Sequence, residues 1–151
     1  MNLTQLHRIR QTAIEKNWKE METFFNSSLQ LKHSGLRIDL SDITKPKVFI
    51  DEVQEFHKGG IGTEAVNGAV IAMLADLAIG LLGLTHYAEG MTGTSNLSIN
   101  YVKPLLTRRV IVSAEQTEVV NKRIFGIVRV MNEKGEVCAY ATGSLAKGIT
   151  V

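Results

Sequence analysis

Between Glu64 and Glu89 the chain carries one formal charge, Asp76, in an otherwise apolar run. Val66, Ala69, Val70, Met73, Leu74, Leu77, Ala78 and Leu81 recur at helical spacing. Ile71, Ala72, Ala75, Ile79 and Leu82 make the other side apolar too. A helix that is apolar all round must be surrounded, by protein or by lipid. Spanning a bilayer takes about 20 apolar residues, and an Asp near the centre costs about 2.5–3.5 kcal/mol on insertion scales. Asn67, Gly68, Gly80 and Gly83 dilute the segment, and no Lys or Arg flanks it. The spacing predicts a helix over 65–84 inside a soluble, cytoplasmic fold, with no membrane partner.

The remaining segments are arranged to enclose such a helix. Leu3, Leu6, Ile9, Ala13, Ile14, Met21, Phe24 and Phe25 predict an amphipathic helix over 1–26. Its charges leave no apolar core for a signal peptide. Two short β-like runs follow, Leu36–Leu40 and Lys47–Val53, around a turn at Pro46, and then a glycine-rich loop, Lys58–Thr63. From Thr92 the period changes to two, predicting four antiparallel strands over 92–146 with hairpin turns at Asn121-Lys122 and Asn132–Gly135. At 151 residues this is one domain. The expected class is α+β, one antiparallel sheet curled round one long central helix, with a partner subunit covering the rest of that helix.

Several functions are excluded by what the chain lacks. A net charge of +2 without a basic stripe argues against nucleic acid. Cys138 is the only cysteine, and its strand context predicts a buried structural thiol. The histidines (7, 33, 57 and 86) have no metal-ligand spacing, and the glycine loop fits no nucleotide motif. No metal and no cofactor are expected.

Chemistry has to come from the central helix. An ionised carboxylate in such a setting must be paired, hydrogen-bonded or protonated, and burial would make Asp76 a better base near neutrality. It could equally be a helix residue facing a wet groove. At the helix start, Asn67 fits an N-cap, and the Gly68 N–H is open to a developing oxyanion. Nine residues separate Asn67 from Asp76, about 13.5 Å and half a turn of the helix. One chain cannot place both against one small reacting group, so a catalytic reading requires at least a homodimer. In the next strand, Thr94, Asn96, Ser98 and Asn100 share one face by alternation, and Thr94 and Asn96 stand nearest a site.

Two segments together, Asn67-Gly-Ala-Val-Ile-Ala-Met-Leu-Ala-Asp76-Leu-Ala-Ile-Gly80 and Ser95-Asn-Leu-Ser-Ile-Asn-Tyr-Val-Lys-Pro104, resemble the hotdog-fold acyl-CoA thioesterases of the phenylacetate-degradation type. That family typically has His-Gly-Gly, then Leu-x-Asp, then x-Ile-x-Tyr-x-x-Pro. The resemblance spans about Phe56 to Ala146. It implies a dimer with a continuous sheet, often paired into a dimer of dimers. It also implies that Asp76 is the base or nucleophile, that the Gly68 amide polarises the thioester, and that Thr94 positions the attacking water. The sequence departs from the family at three points: Asn67 replaces the His, Ala69 the second Gly, and Ile61 the loop Asn. Asn67, Glu64 and His57 are the candidates to replace that Asn.

A thiol with a pKa near 8.5 leaves without a strong acid, so a base and an oxyanion donor suffice. Met73, Leu77 and Leu81 could line an acyl tunnel, and Lys103, Arg108, Arg109, Lys122 and Arg123 could meet CoA phosphates. The expected activity is hydrolysis of acyl-CoA, or of an acyl carrier protein thioester. The alternatives are a non-catalytic acyl-CoA binding protein and an acyl-thioester dehydratase or hydratase, which would want a His beside the carboxylate.

Overall fold

Three helices occupy the N-terminal region in the computed structural model, which describes residues 3–59 and 62–149: α1 (Leu3–Ile14), α2 (Trp18–Ser27) and α3 (Leu29–Ser34). The single helix expected over 1–26 is therefore interrupted. Lys16 turns at a φ of 55°, and Asn17 caps α2 by accepting from the Glu20 amide at 3.2 Å. Ser28 then caps α3 through the Leu31 amide. Capping ends each helix, while the apolar period runs through the first break because Ile9, Ala13 and Met21 are all buried.

Six strands form one antiparallel sheet in the order β1-β2-β4-β5-β6-β3. They are β1 (Arg37–Asp39), β2 (Lys47–Ile50), β3 (Met91–Tyr101), β4 (Val110–Val120), β5 (Arg123–Met131) and β6 (Val137–Ile149). The first two are shorter than the runs that suggested them. Val48, Ile50, Val112, Ile124, Val128, Val130, Ala141 and Leu145 lie on one face of the sheet and are buried with the central helix. That helix, α4, runs Gly68–Leu81 and tightens into a 3₁₀ stretch over Leu82–Glu89. It starts three residues later than expected, because Asn67 is its cap. Gly126 and Gly143 are cross-strand partners beneath it. A Cβ would stand 2.4 Å from Leu82 Cδ1 at the first and 3.0 Å from Ile79 Cδ1 at the second, so the glycines let the helix settle closely on the sheet.

A sheet wrapped round one central helix is the hotdog arrangement. Its two edges are treated differently. The edge at β1 is covered by α2. Asn26 accepts from the Ile38 amide at 2.8 Å and donates to the Ile38 carbonyl at 3.0 Å, while Glu22 accepts from the Leu40 amide at 2.8 Å. The other edge, the 11-residue β3, has no strand partner beyond β6 among the described residues. The helical stretch Gly68–Glu89 is long and apolar enough to cross a membrane, but half of its most apolar window is buried inside this fold.

Candidate active site

One stripe of α4 is left open by its own chain. Ala69 and Asp76 are exposed, and Ala72, Met73, Leu77 and Gly80 are half-buried. Asp76 is therefore not enclosed by its own fold. The sheet covers the opposite side of the helix. Asp76 instead stands at a cleft of about 200 Å³ that follows the C-terminal half of the helix. Leu77, Gly80, Leu81, Leu84, Tyr87, Thr92, Gly93, Thr94, Leu145 and Phe25 form the rest of its lining. Burial pushes the pKa of the Tyr87 phenol up, keeping it neutral in this wall. Met73 shares the open stripe but does not line this cleft.

Thr94 reaches the cleft because β3 is not regular. Its register against β6 shifts between Thr94 and Asn96, leaving Ser95 as an extra residue. Thr94 pairs with Leu145, on the helix side, whereas Asn96, Ser98 and Asn100 pair with Ser144, Thr142 and Tyr140 on the outer face. Strict alternation would have grouped all four. The bulge separates them, so Asn96 is removed from the site and Thr94 is turned into it. Ser95 itself is tied down: its hydroxyl accepts from Arg123 Nη1 at 2.6 Å and donates to the Ser144 carbonyl at 3.2 Å.

Gly68 lies at the other end of α4, in a second cleft with Val66, Ile71, Tyr101, Val102, Lys103, Pro104 and Leu105. Eight residues of helix, about 12 Å, separate it from Asp76. Its N–H has no acceptor among the described residues. The Asn67 side chain instead accepts from the Ala69 amide at 2.8 Å, so Asn67 acts here as the cap. Tyr101 donates to the Gly68 carbonyl at 3.1 Å. A Cβ on Gly68 would meet Tyr101 only at ordinary contact distance, 3.5 Å, so sterics within the chain do not require glycine there.

The other candidates divide. His57 is buried and committed: its Nδ1 accepts from the Gln54 amide at 2.9 Å, and its Nε2–H donates to the Ser34 carbonyl at 2.8 Å. It is a strut under the loop before α4, and its carbonyl also holds the Asn67 amide at 2.8 Å. It has no ring nitrogen left for a substrate. Glu64 is exposed and paired with Lys58. Ile61, the position of the missing loop Asn, falls outside the described residues.

The five cations do not converge within one chain. Arg109 is bound to Asp51 at 3.2 Å and stacked on Phe49, Arg108 is exposed nearby, and Lys103 pairs with Glu136 at 3.2 Å. Lys122 and Arg123 lie at the opposite end of the sheet, in and beside the β4–β5 turn, where Arg123 serves Ser95. Burial pushes the pKa of the Cys138 thiol up, which suits a structural residue. Phe25, Tyr87 and Gly80 were not singled out as site residues from the sequence. Gly80, four residues after Asp76 on the same stripe, was the available signal.

Residues 64–139, half of the chain, match the profile of the thioesterase superfamily. A search of curated proteins matches none. Among solved structures, a Shewanella oneidensis protein related to the thioesterase superfamily superposes with a TM-score of 0.75 at 20% identity, over 85% of this chain and 93% of that one. The E. coli PaaI protein from the phenylacetic acid degradation operon gives 0.72 at 16% identity, over 87% and 93%. A Haemophilus influenzae thioesterase gives 0.73 at 15%, over 85% and 87%. The fold is thus the hotdog fold of acyl-thioester hydrolases. The chain belongs to the thioesterase superfamily.

Proposed function

We propose that this protein is an acyl-CoA hydrolase in which Asp76 activates water at a site shared by two protomers. The observation that carries the reading is the meeting of Asp76 and Thr94 in one cleft, brought about by the bulge at Ser95. The Asp76 carboxylate takes a proton from water, Thr94 orients that water, and the water oxygen attacks the thioester carbonyl. Negative charge then develops on the carbonyl oxygen, where an unpartnered amide such as that of Gly68 stabilises it. As the C–S bond breaks, the thiolate leaves and takes up the proton, giving a carboxylic acid and a free thiol.

The amide and the base lie about 12 Å apart on one helix, so they serve the same carbonyl only from two chains. Pairing the open β3 edges about a twofold axis sets the strands antiparallel. The Asp76 end of one protomer then faces the Gly68 end of the other, the open stripe of α4 is covered, and the two groups of cations are brought toward each other. A dimer of dimers would follow from the outer sheet face, where Val120 and Phe125 are exposed.

Thiol release from a panel of acyl-CoAs, with acyl carrier protein thioesters beside them, tests the reading. Asp76→Asn should lower kcat at least about a hundredfold, the scale of general-base catalysis. Turnover untouched by the substitution removes Asp76 from the mechanism. Tight acyl-CoA binding without turnover in the wild type makes the protein a carrier.

A further inference from the structure

Resting on that reading, we propose that the N-terminal helix α2, which lies outside the matched 64–139 core, sets the acyl-group size through Phe25, with Gly80 leaving the space that the acyl group fills. The cleft is polar where Asp76 and Thr94 meet and apolar along Leu77, Leu81, Leu84 and Leu145. Leu84 and Leu145 are fully buried, so that wall cannot retreat. Phe25 supplies a wall that neither α4 nor the sheet provides. It is held from two sides: its neighbour Asn26 makes both hydrogen bonds to Ile38, and Phe24 packs edge-on against it with ring centroids 6.2 Å apart. The N-terminal unit is also anchored at the far end of the cleft, where Arg10 donates to the Ala88 carbonyl at 3.1 Å. The wall is therefore fixed, and it imposes a limit.

Gly80 is the complementary feature. Nothing in its own chain lies within 4 Å of where its Cβ would be, so neither packing within the protomer nor backbone conformation requires a glycine there. It is the next-to-last residue of α4, just before the helix tightens into the 3₁₀ stretch. It sits one turn beyond Asp76, and any larger side chain would project into the cleft. The size of the space gives the substrate class. Within one protomer the cleft holds about 200 Å³, somewhat more than the roughly 150 Å³ cavity that accommodates benzene, which favours a medium-chain acyl group or a single aromatic ring on a short linker over a long-chain fatty acyl group.

The test is kcat/KM for thiol release across straight-chain acyl-CoAs from acetyl to palmitoyl, with benzoyl-CoA as the aromatic arm. The wild type should peak at or below medium chain length. Phe25→Ala should raise dodecanoyl relative to hexanoyl by about tenfold or more, and Gly80→Leu should lower hexanoyl relative to acetyl by a similar factor, the discrimination expected per methylene at an apolar limit. Gly80→Leu, checked by melting temperature and by sedimentation because Gly80 lies on the stripe that the partner covers, decides the matter if Phe25→Ala does not fold. A wild type fastest on palmitoyl, or ratios that move less than about twofold in Gly80→Leu, overturns the inference. If no acyl-CoA is turned over, the hydrolase reading fails by itself. The same length ratios, read as Kd values of S-alkyl-CoA thioethers by calorimetry, then support or overturn the size limit independently.

Discussion

Gly68 offers a clean way to remove one hydrogen-bond donor. It is the first residue of α4, where proline is tolerated because no intrahelical bond uses that amide. The preceding Asn67, at φ −60° and ψ 138°, already has the extended backbone that a following proline requires. Gly68→Pro should therefore leave the melting temperature within a few degrees of the wild type while lowering kcat by about 10²–10³, the usual effect of losing an oxyanion donor. An unchanged kcat in a folded variant would remove Gly68 from the mechanism. Asp76 and Gly68 stand out in the chain as candidates because each breaks a local pattern: a charge in an apolar helix, and a glycine in a first turn. His57 and Asn67 could not be assigned that way. A buried His strut and a substrate-binding His have the same letter, and the partners that distinguish them, Gln54 and Ser34, are spread along 23 residues of chain.

The central helix and the four long strands were legible because their periods, 3.6 and 2, run long enough to show through the bulges in β3 and β4. The N-terminal helices were less so, because a few polar atoms at Asn17 and Ser28 decide their ends while the apolar spacing runs on. The bulge in β3 was invisible for a related reason. One extra residue in Thr94-Ser95-Asn96 leaves the pattern of letters plausible in either register, and its anchors, Arg123 and Ser144, come from other strands. The N-terminal unit has its own test in Asn26, whose side chain takes the place of a neighbouring strand at the β1 edge. Asn26→Leu leaves the Ile38 amide and carbonyl unpaired and should cost about 1–3 kcal/mol in urea unfolding. A smaller loss would mean that water readily replaces the side chain.

Among the described residues one sheet edge is covered by side chains of α2 and the other, β3, has no strand partner beyond β6, an asymmetry that favours association through β3. Sedimentation at micromolar concentration should give at least twice the 16.6 kDa chain mass. The melting temperature should rise with protein concentration, as it does when folding and assembly are linked. A concentration-independent melt at the monomer mass would leave the stripe around Asp76 in water and the proposed site incomplete. The placement of Asp76 and Gly68 at opposite ends of one helix also has a genetic consequence. If each centre draws its base from one copy and its amide from the other, two alleles that are each inactive, one altered at Asp76 and one at Gly68, should complement each other when co-expressed. In a mixed pair one centre inherits both defects and the other neither, so half of the sites in every heterodimer would be intact.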